Sequence, residues 1–217
     1  MNIIYLLFHG LSPYSGISKK ILHQVKGFEA CGHRVSLCTY SIADNDHRVR
    51  MINNEIIEDY GTGKPAAAKR RVSYQCIYRY AITHQVELIY VRSFHNANPF
   101  TIRLFSKLRK AGIKIAMEIP TYPYDSEYAG FPLVTRLGIQ VDKVFRKTLA
   151  KHVNAIVTFS DYHCIFGQRT IQISNGVDFD SIPLKKTVSK KYLHHSSTRS
   201  GRSTLLARLR PPDRGFG

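Results

Sequence analysis

The sequence has no tryptophan, no C-x-x-C pair and no apolar run near the roughly 18 residues of a membrane span. Its apolar start, residues 1–10, lacks a basic segment and a small-residue cleavage site, so it does not have the pattern of a secretory signal peptide. No histidine pair at metal spacing accompanies the cysteines, which are Cys31, Cys38, Cys76 and Cys164. Free thiols in a reducing compartment are therefore favoured over a zinc site. These absences predict a cytoplasmic protein without bound metal.

Acidic residues are also scarce, with 15 Asp and Glu against 32 Lys and Arg, and the formal net charge is +17. Such an excess is typical of proteins that bind nucleic acid or an anionic membrane. The charge is uneven, however, because residues 185–217 hold nine Lys or Arg and only one acid. We therefore predict a moderately basic folded domain over 1–184 and a disordered basic tail over 185–217.

Apolar runs of strand length alternate with segments of helical periodicity from residue 2 to residue 173. This order predicts an α/β fold with a Rossmann-like, doubly wound, mostly parallel sheet. The predicted strands are 2–8, 34–40, 86–91, 114–119, 155–159 and 170–173, and the predicted helices are 16–30, 69–84, 99–110 and 134–150. Residues 41–64 are polar, and we expect them to be irregular. Ligands bind such sheets beyond the carboxyl ends of the strands, so the loops 9–15, 93–98, 120–130, 160–162 and 175–178 are the candidate site.

The first of these loops carries Gly10 and Gly16, and a helix is predicted to begin at its end. The glycines allow close approach of a ligand to the backbone, and the helix N-terminus, with Ser18 and Lys19, favours an anion. The spacing is neither G-x-G-x-x-G nor a P-loop, which disfavours dinucleotide binding and ATPase chemistry. A plain turn with tightly packed glycines is the alternative.

The next two loops follow predicted strands that have a charged residue close to their last position. Arg92 is a candidate for substrate binding, or it ties down a neighbouring loop. His95 is a candidate for substrate binding or a general base, although a plain polar loop residue is the favoured interpretation of a lone histidine. Glu118 lies inside an apolar strand, and a buried carboxylate needs a partner, for which Arg92 is the candidate. Tyr122 and Tyr124 offer flat surfaces with hydroxyl groups, as sugar-binding sites often do; a hydrophobic lid on the domain itself is the alternative.

Several segments together resemble the N-terminal domain of the family 4 glycosyltransferases, which have the GT-B fold. They are G-I-S-K-K at 16–20, G-H-R-V at 32–35, L-I-Y-V-R at 88–92, the strand and serine at 155–160, and N-G-V-D at 175–178, so the resemblance covers residues 1–184. It implies transfer of a sugar from a nucleotide-sugar co-substrate to an acceptor sugar or glycolipid. The residues implied in substrate binding, with no catalytic residue assigned, are Gly10, Gly16, Ser18, Lys19, Arg92, His95, Glu118, Tyr122, Tyr124 and Asn175.

The sequence departs from that family in two respects. Members often carry a histidine in the loop where this chain has E-I-P-T-Y at 118–122, so no base is assigned there. Only 33 residues follow Leu184, too few for the domain that holds the nucleotide sugar. We therefore expect the chain to be inactive alone. The stretch L-L-A-R-L-R-P-P-D-R-G-F at 205–216 can be encoded by codons that read Y-W-H-G-F-D-R-L-I-E in a shifted frame, which suggests a frameshift past Lys186.

Other functions remain open on the sequence. The chain could be a freestanding sugar- or lipid-binding module, or a subunit completed by a second chain. The basic, aromatic stretch 131–152 suggests peripheral contact with the inner face of a membrane, although an amphipathic core helix accounts for it as well. Nucleic-acid binding through the tail is the least favoured alternative.

Overall fold

Strands and helices alternate along the chain as predicted, and they form an α/β fold. The computed structural model describes residues 1–12, 14–92, 96–123 and 133–174, with the backbone alone of 133–135. These residues belong to a compact unit, Met1–Val177. The predicted basic tail lies outside the described residues. None of the described helices is long and apolar enough to cross a membrane.

The sheet is mixed and mostly parallel. Its strands are β1 (Asn2–Leu6), β2 (Arg34–Ile42), β3 (Arg48–Ile52), β4 (Glu55–Asp59), β5 (Leu88–Arg92), β6 (Lys114–Ile119), β7 (Ala155–Thr158), β8 (Cys164–Ile165) and β9 (Gln168–Gln172). Their order is β4-β3-β2-β1-β5-β6-β7-β9-β8. The pairs β1–β2, β1–β5, β5–β6, β6–β7 and β7–β9 are parallel. This arrangement is compatible with a Rossmann-like fold.

Helices cover both faces of the sheet. They are α1 (Gly16–Ala30), α2 (Gly63–Val72), α3 (Gln75–Thr83), α4 (Pro99–Lys110) and α5 (Leu133–Ala150). Alternate residues of β1 point to opposite faces, so Ile4 and Leu6 join a core with α3, α4 and α5. Ile3 and Tyr5 join a second core with Ile21 of α1.

Two local predictions were wrong, and one short strand was not predicted. Residues 41–64 are not irregular, because β3 and β4 form an antiparallel hairpin across Asn53 and Asn54, both of which have positive φ. The single helix predicted over 69–84 is two helices, since Ser73 is extended between α2 and α3. The strand predicted near residue 170 has a hairpin partner, β8, that periodicity did not indicate because it has only two residues.

The parallel strands bring their last residues to one edge, here called the carboxyl edge. In register, Leu6 pairs with Val91 and Arg92 pairs with Glu118. The first residues of β3 also lie there, since Arg48 pairs with Ile42 at the end of β2. The loops that follow β1, β5, β6 and β7 therefore leave the sheet on the same side, where the candidate residues were sought.

Candidate functional site

Arg92 and Glu118 form a buried ion pair at the carboxyl edge. Their strands place them side by side, and Nη1 of Arg92 lies 2.5 Å from Oε1 of Glu118. The Glu118 side chain is fully buried and that of Arg92 is 10% exposed. The predicted pairing of these two residues is confirmed, and its physical reason is that neither charge could be buried alone without a large free-energy cost.

The second carboxylate oxygen of Glu118 accepts two further hydrogen bonds. Tyr90 Oη donates to Oε2 over 2.8 Å, and Gln24 Nε2 donates to it over 3.0 Å. Tyr5 Oη in turn donates to Oε1 of Gln24 over 2.6 Å. These five residues, Tyr5, Gln24, Tyr90, Arg92 and Glu118, are called the glutamate network. They tie β1, α1, β5 and β6 together beneath the carboxyl edge.

Both phenols of the glutamate network are held in their protonated form. Burial, followed by the charge of Glu118, raises the pKa of Tyr5 and of Tyr90. Each phenol therefore remains a hydrogen-bond donor, as the network requires. With both of its oxygens occupied by donors, Glu118 is suited to positioning Arg92 and the strand ends, not to accepting a proton from a substrate.

Lys20 lies at the margin of the glutamate network, although the sequence directed attention to its neighbour. Its Nζ sits 3.5 Å from the centroid of the Phe159 ring, which follows β7. Burial lowers the pKa of Lys20, and the charge of Glu118 opposes that shift. Lys20 and Gln24 are four residues apart and so share the sheet-facing side of α1. The four-residue spacing between Lys20 and Gln24 is the sequence signal by which the position of Lys20 could have been predicted. Lys19 is exposed.

The predicted glycines of the first loop have different environments. A Cβ added at Gly10 would lie 2.9 Å from the backbone oxygen of Tyr40, so the loop and β2 approach too closely for any side chain there. A Cβ added at Gly16 would meet nothing within 4 Å. Gly10 is therefore required by the packing of the loop on β2, whereas Gly16 leaves the start of α1 uncovered.

Ser18 fixes the conformation of the same loop. Its buried hydroxyl accepts a hydrogen bond from the Ser12 N–H over 2.9 Å. Ser15, at the N-cap of α1, makes no side-chain capping bond. Ser18 thus holds the loop over the first turn of the helix, and this contact supports a positioning role for it.

Tyr122 packs against the loop after β7. Its backbone N–H donates to Ser160 Oγ over 3.1 Å, and its ring makes edge contacts with Tyr162 and Phe166 at centroid distances of 5.0 and 5.4 Å. The third and fourth predicted loops are therefore joined, with the half-buried Tyr122 at the junction. The predicted site residues His95, Tyr124 and Asn175 lie outside the described residues.

A second group of charged side chains at the carboxyl edge was missed by the sequence analysis. Arg48 and Arg50 project from one face of β3, and Arg70 comes from the last turn of α2. Arg48 Nη1 donates to Tyr40 Oη over 3.0 Å, and the Arg70 guanidinium carbon lies 4.1 Å from the centroid of the Tyr40 ring. We call Arg48, Arg50 and Arg70 the arginine cluster. The alternation of Arg48, Val49 and Arg50 is a strand signal that the polarity of the segment obscured.

A cleft of about 390 Å³ lies between α1, β2 and β3 and reaches Leu11 of the first loop. It does not contact the glutamate network, so its size alone does not make it the chemical centre of the site. Among the described residues, no group of three His, Cys, Asp or Glu side chains is arranged to hold a metal ion. Comparison with known proteins found no matching family model, no matching curated protein and no matching solved structure.

Proposed function

We propose that this chain is the acceptor-binding half of a nucleotide-sugar-dependent glycosyltransferase with the GT-B fold. The observation that carries the proposal is the convergence of the loops after β1, β6 and β7 on one edge of a mostly parallel sheet. Ligands of such sheets bind at that edge. Two of the segments that carry the family resemblance, 16–20 and 155–160, adjoin the loops after β1 and β7.

In this proposal the glutamate network is a support for the site. Arg92 ends β5 with a side chain that is almost fully buried and held by Glu118. Glu118 in turn fixes the end of β6, from which the loop to Tyr122 departs. Small displacements of groups that orient a substrate can lower a reaction rate about 100-fold, so a rigid edge is functionally important.

The reaction requires a second lobe that binds the nucleotide sugar. An oxygen of the acceptor would form a bond to the anomeric carbon while the bond from that carbon to the diphosphate breaks; the bonding electrons leave with the diphosphate, and the hydroxyl proton passes to solvent. We propose that this lobe faces the carboxyl edge and supplies the positive charge that stabilises the departing diphosphate. By itself the described unit would bind acceptor without transferring sugar to it.

The test is a transfer assay with radiolabelled nucleotide sugars and a panel of sugar and glycolipid acceptors. It is run on this chain alone and on the chain supplied with a donor-binding lobe from the downstream reading frame or a neighbouring gene. We expect transfer only with the lobe present, and a rate about 10- to 100-fold lower for Arg92→Gln than for the exposed control Arg103→Gln. The absence of transfer with every lobe and acceptor would contradict the proposal.

A specific observation also supports peripheral contact with an anionic membrane. On α5, Leu137, Val141 and Val144 are 66%, 44% and 70% exposed, and their spacing places them along one stripe of the helix. The surrounding charges of the helix are positive: Arg136, Lys143, Arg146 and Lys147. Asp142 is buried and accepts a hydrogen bond from the Ala97 N–H over 2.9 Å. An apolar stripe with cations beside it is suited to a bilayer containing anionic lipids.

Flotation with lipid vesicles tests this contact. We expect the protein to float with vesicles of phosphatidylcholine and phosphatidylglycerol but not with phosphatidylcholine alone. The double variant Leu137→Ser/Val144→Ser should lose this binding, whereas Val72→Ser/Ile82→Ser, which alters two exposed apolar residues elsewhere, should retain it. Equal loss in both variants would contradict a specific role for α5.

A further inference from the structure

The arginine cluster concentrates positive charge where the described residues offer it no counter-charge. The Nε atoms of Arg48, Arg50 and Arg70 are all buried and have no hydrogen-bond partner in the part of the chain that the structure describes. No described carboxylate forms an ion pair with any of the three. The nearby acids of β4 are engaged elsewhere, since Glu58 pairs with Arg79 and Asp59 with His47. Three guanidinium groups therefore share one region without a described anion.

Arg50 is the innermost member, with only 2% of its surface exposed. Its Nη1 donates to the Leu7 carbonyl oxygen over 2.7 Å, and its guanidinium carbon lies 5.9 Å from the centroid of the Phe8 ring. The thiol of Cys38 lies beside it but cannot neutralise it, because burial raises the pKa of Cys38 to about 12. Tyr60 also forms a side-chain hydrogen bond with Arg50, and burial raises the pKa of that phenol, so it stays neutral. A carbonyl, an aromatic ring and a neutral hydroxyl supply no full negative charge to compensate Arg50.

Arg48 and Arg70 make the cluster accessible. Both side chains are half-buried, in contrast to Arg50, and they hold Tyr40 between them through its hydroxyl and its ring face. Burial and the repulsion of the neighbouring arginines lower the pKa of Arg70, yet a guanidinium remains charged at physiological pH. An anion approaching from solvent would thus meet two arginines first and the third beneath them.

We propose that the arginine cluster binds a phosphoryl group, with Arg48 and Arg70 contacting its oxygens and Arg50 providing buried positive charge below it. Guanidinium groups present planar sets of donors that match the oxygens of a phosphate. The dense packing of Tyr40 on both Arg48 and Arg70 holds these donors in place before the ligand arrives.

The site adjoins the first loop. The Tyr40 N–H donates to the His9 carbonyl oxygen over 3.3 Å, and the backbone oxygen of Tyr40 excludes a side chain at Gly10. A phosphorylated ligand held there would extend along the carboxyl edge toward the loops described above. The inference concerns binding alone and stands independently of the proposed transfer reaction. A phosphorylated acceptor is the ligand it implies if that reaction is correct.

The experiment measures binding of inorganic phosphate by calorimetry, with chloride at matched ionic strength as the reference. We expect phosphate to bind and to raise the melting temperature. Arg48→Gln and Arg70→Gln should each weaken binding at least about ten-fold, as expected for loss of a charged hydrogen bond. Arg103→Gln removes the same charge from an exposed position of α4 and should leave binding unchanged. A hexose 1-phosphate and a short-chain prenyl phosphate, tested in parallel, distinguish a sugar-phosphate from a lipid-phosphate ligand.

Two results would overturn the inference. One is a phosphate effect no larger than that of chloride at the same ionic strength. The other is an equal weakening in Arg70→Gln and Arg103→Gln, which would reveal attraction to the overall charge. Circular dichroism of each variant shows that it is folded. Because the assay requires no sugar transfer, its outcome is separate from that of the transferase test.

Discussion

The glutamate network and the arginine cluster lie at the same edge of the sheet, but they differ in how their buried charges are compensated. In the network, the carboxylate of Glu118 receives one arginine, one tyrosine and one glutamine donor. In the cluster, three arginines have buried Nε atoms without a hydrogen-bond partner. The comparison teaches that a closed set of charges stabilises the fold, whereas an open set of one sign is suited to a ligand.

The largest effect on stability should follow from removing the negative charge of the glutamate network. Glu118→Gln removes the charge that compensates Arg92 and should lower the free energy of unfolding by about 3–5 kcal/mol, measured by urea denaturation. The double variant Arg92→Leu/Glu118→Leu removes both charges. Its loss in free energy of unfolding should be smaller than the sum of the losses in Arg92→Leu and Glu118→Leu. Additive losses would show that the two residues are not coupled, and would contradict the contrast drawn between the glutamate network and the arginine cluster.

The first loop, which lies between the two groups, offers a matched pair of glycines. Gly10→Ala should lower the free energy of unfolding by about 1–3 kcal/mol, because the new Cβ would collide with the backbone oxygen of Tyr40. Gly16→Ala, where the added atom meets nothing, should change it by less than about 0.5 kcal/mol. Thermal denaturation of both variants measures the difference, and equal effects would contradict the described loop packing.

How far such features follow from sequence depends on how local their causes are. The bounds of α1 and α4 were predicted because Gly32 and Gly112, both of which have positive φ in the structure, follow their ends, and because Pro99 begins α4. The Arg92–Glu118 pair was predicted because an isolated carboxylate in an apolar strand needs a cation.

Other features depend on register and packing between distant segments. Gln24 reaches Glu118 across 94 positions of sequence, and no local pattern indicates that contact. Arg50 is buried although arginine is usually exposed, so the hairpin that carries it was read as an irregular polar segment. The arginine cluster was therefore missed even though Arg48 and Arg50 alternate with Val49 along β3.

A smaller effect on stability is expected from removing one positive charge of the arginine cluster. Arg50→Met puts a shorter, unbranched and uncharged side chain in place of a buried charge that has no described counter-ion. The free energy of unfolding without phosphate should change by no more than about 1 kcal/mol, in either direction, by urea denaturation. A loss as large as that of Glu118→Gln would mean that Arg50 is compensated after all, and the contrast between the two groups would disappear.

The smallest effect concerns reactivity alone. Cys31 and Cys164 are exposed, whereas Cys38 and Cys76 are buried and burial raises the pKa of both thiols. At pH 8, alkylation followed by mass spectrometry should label the first two quickly and the other two only after unfolding. Rapid labelling of Cys38 would indicate a thiolate beside Arg50, which would supply the counter-charge that the cluster is inferred to lack.

Arginine side-chain NMR during a phosphate titration tests the contrast between the two groups most directly. With Nε–Hε signals assigned by single Arg→Lys variants, we predict that phosphate shifts the signals of Arg48, Arg50 and Arg70 and leaves that of Arg92 unchanged. Shifts of Arg92 comparable with those of the cluster, or no shift in any of the four, would contradict the account.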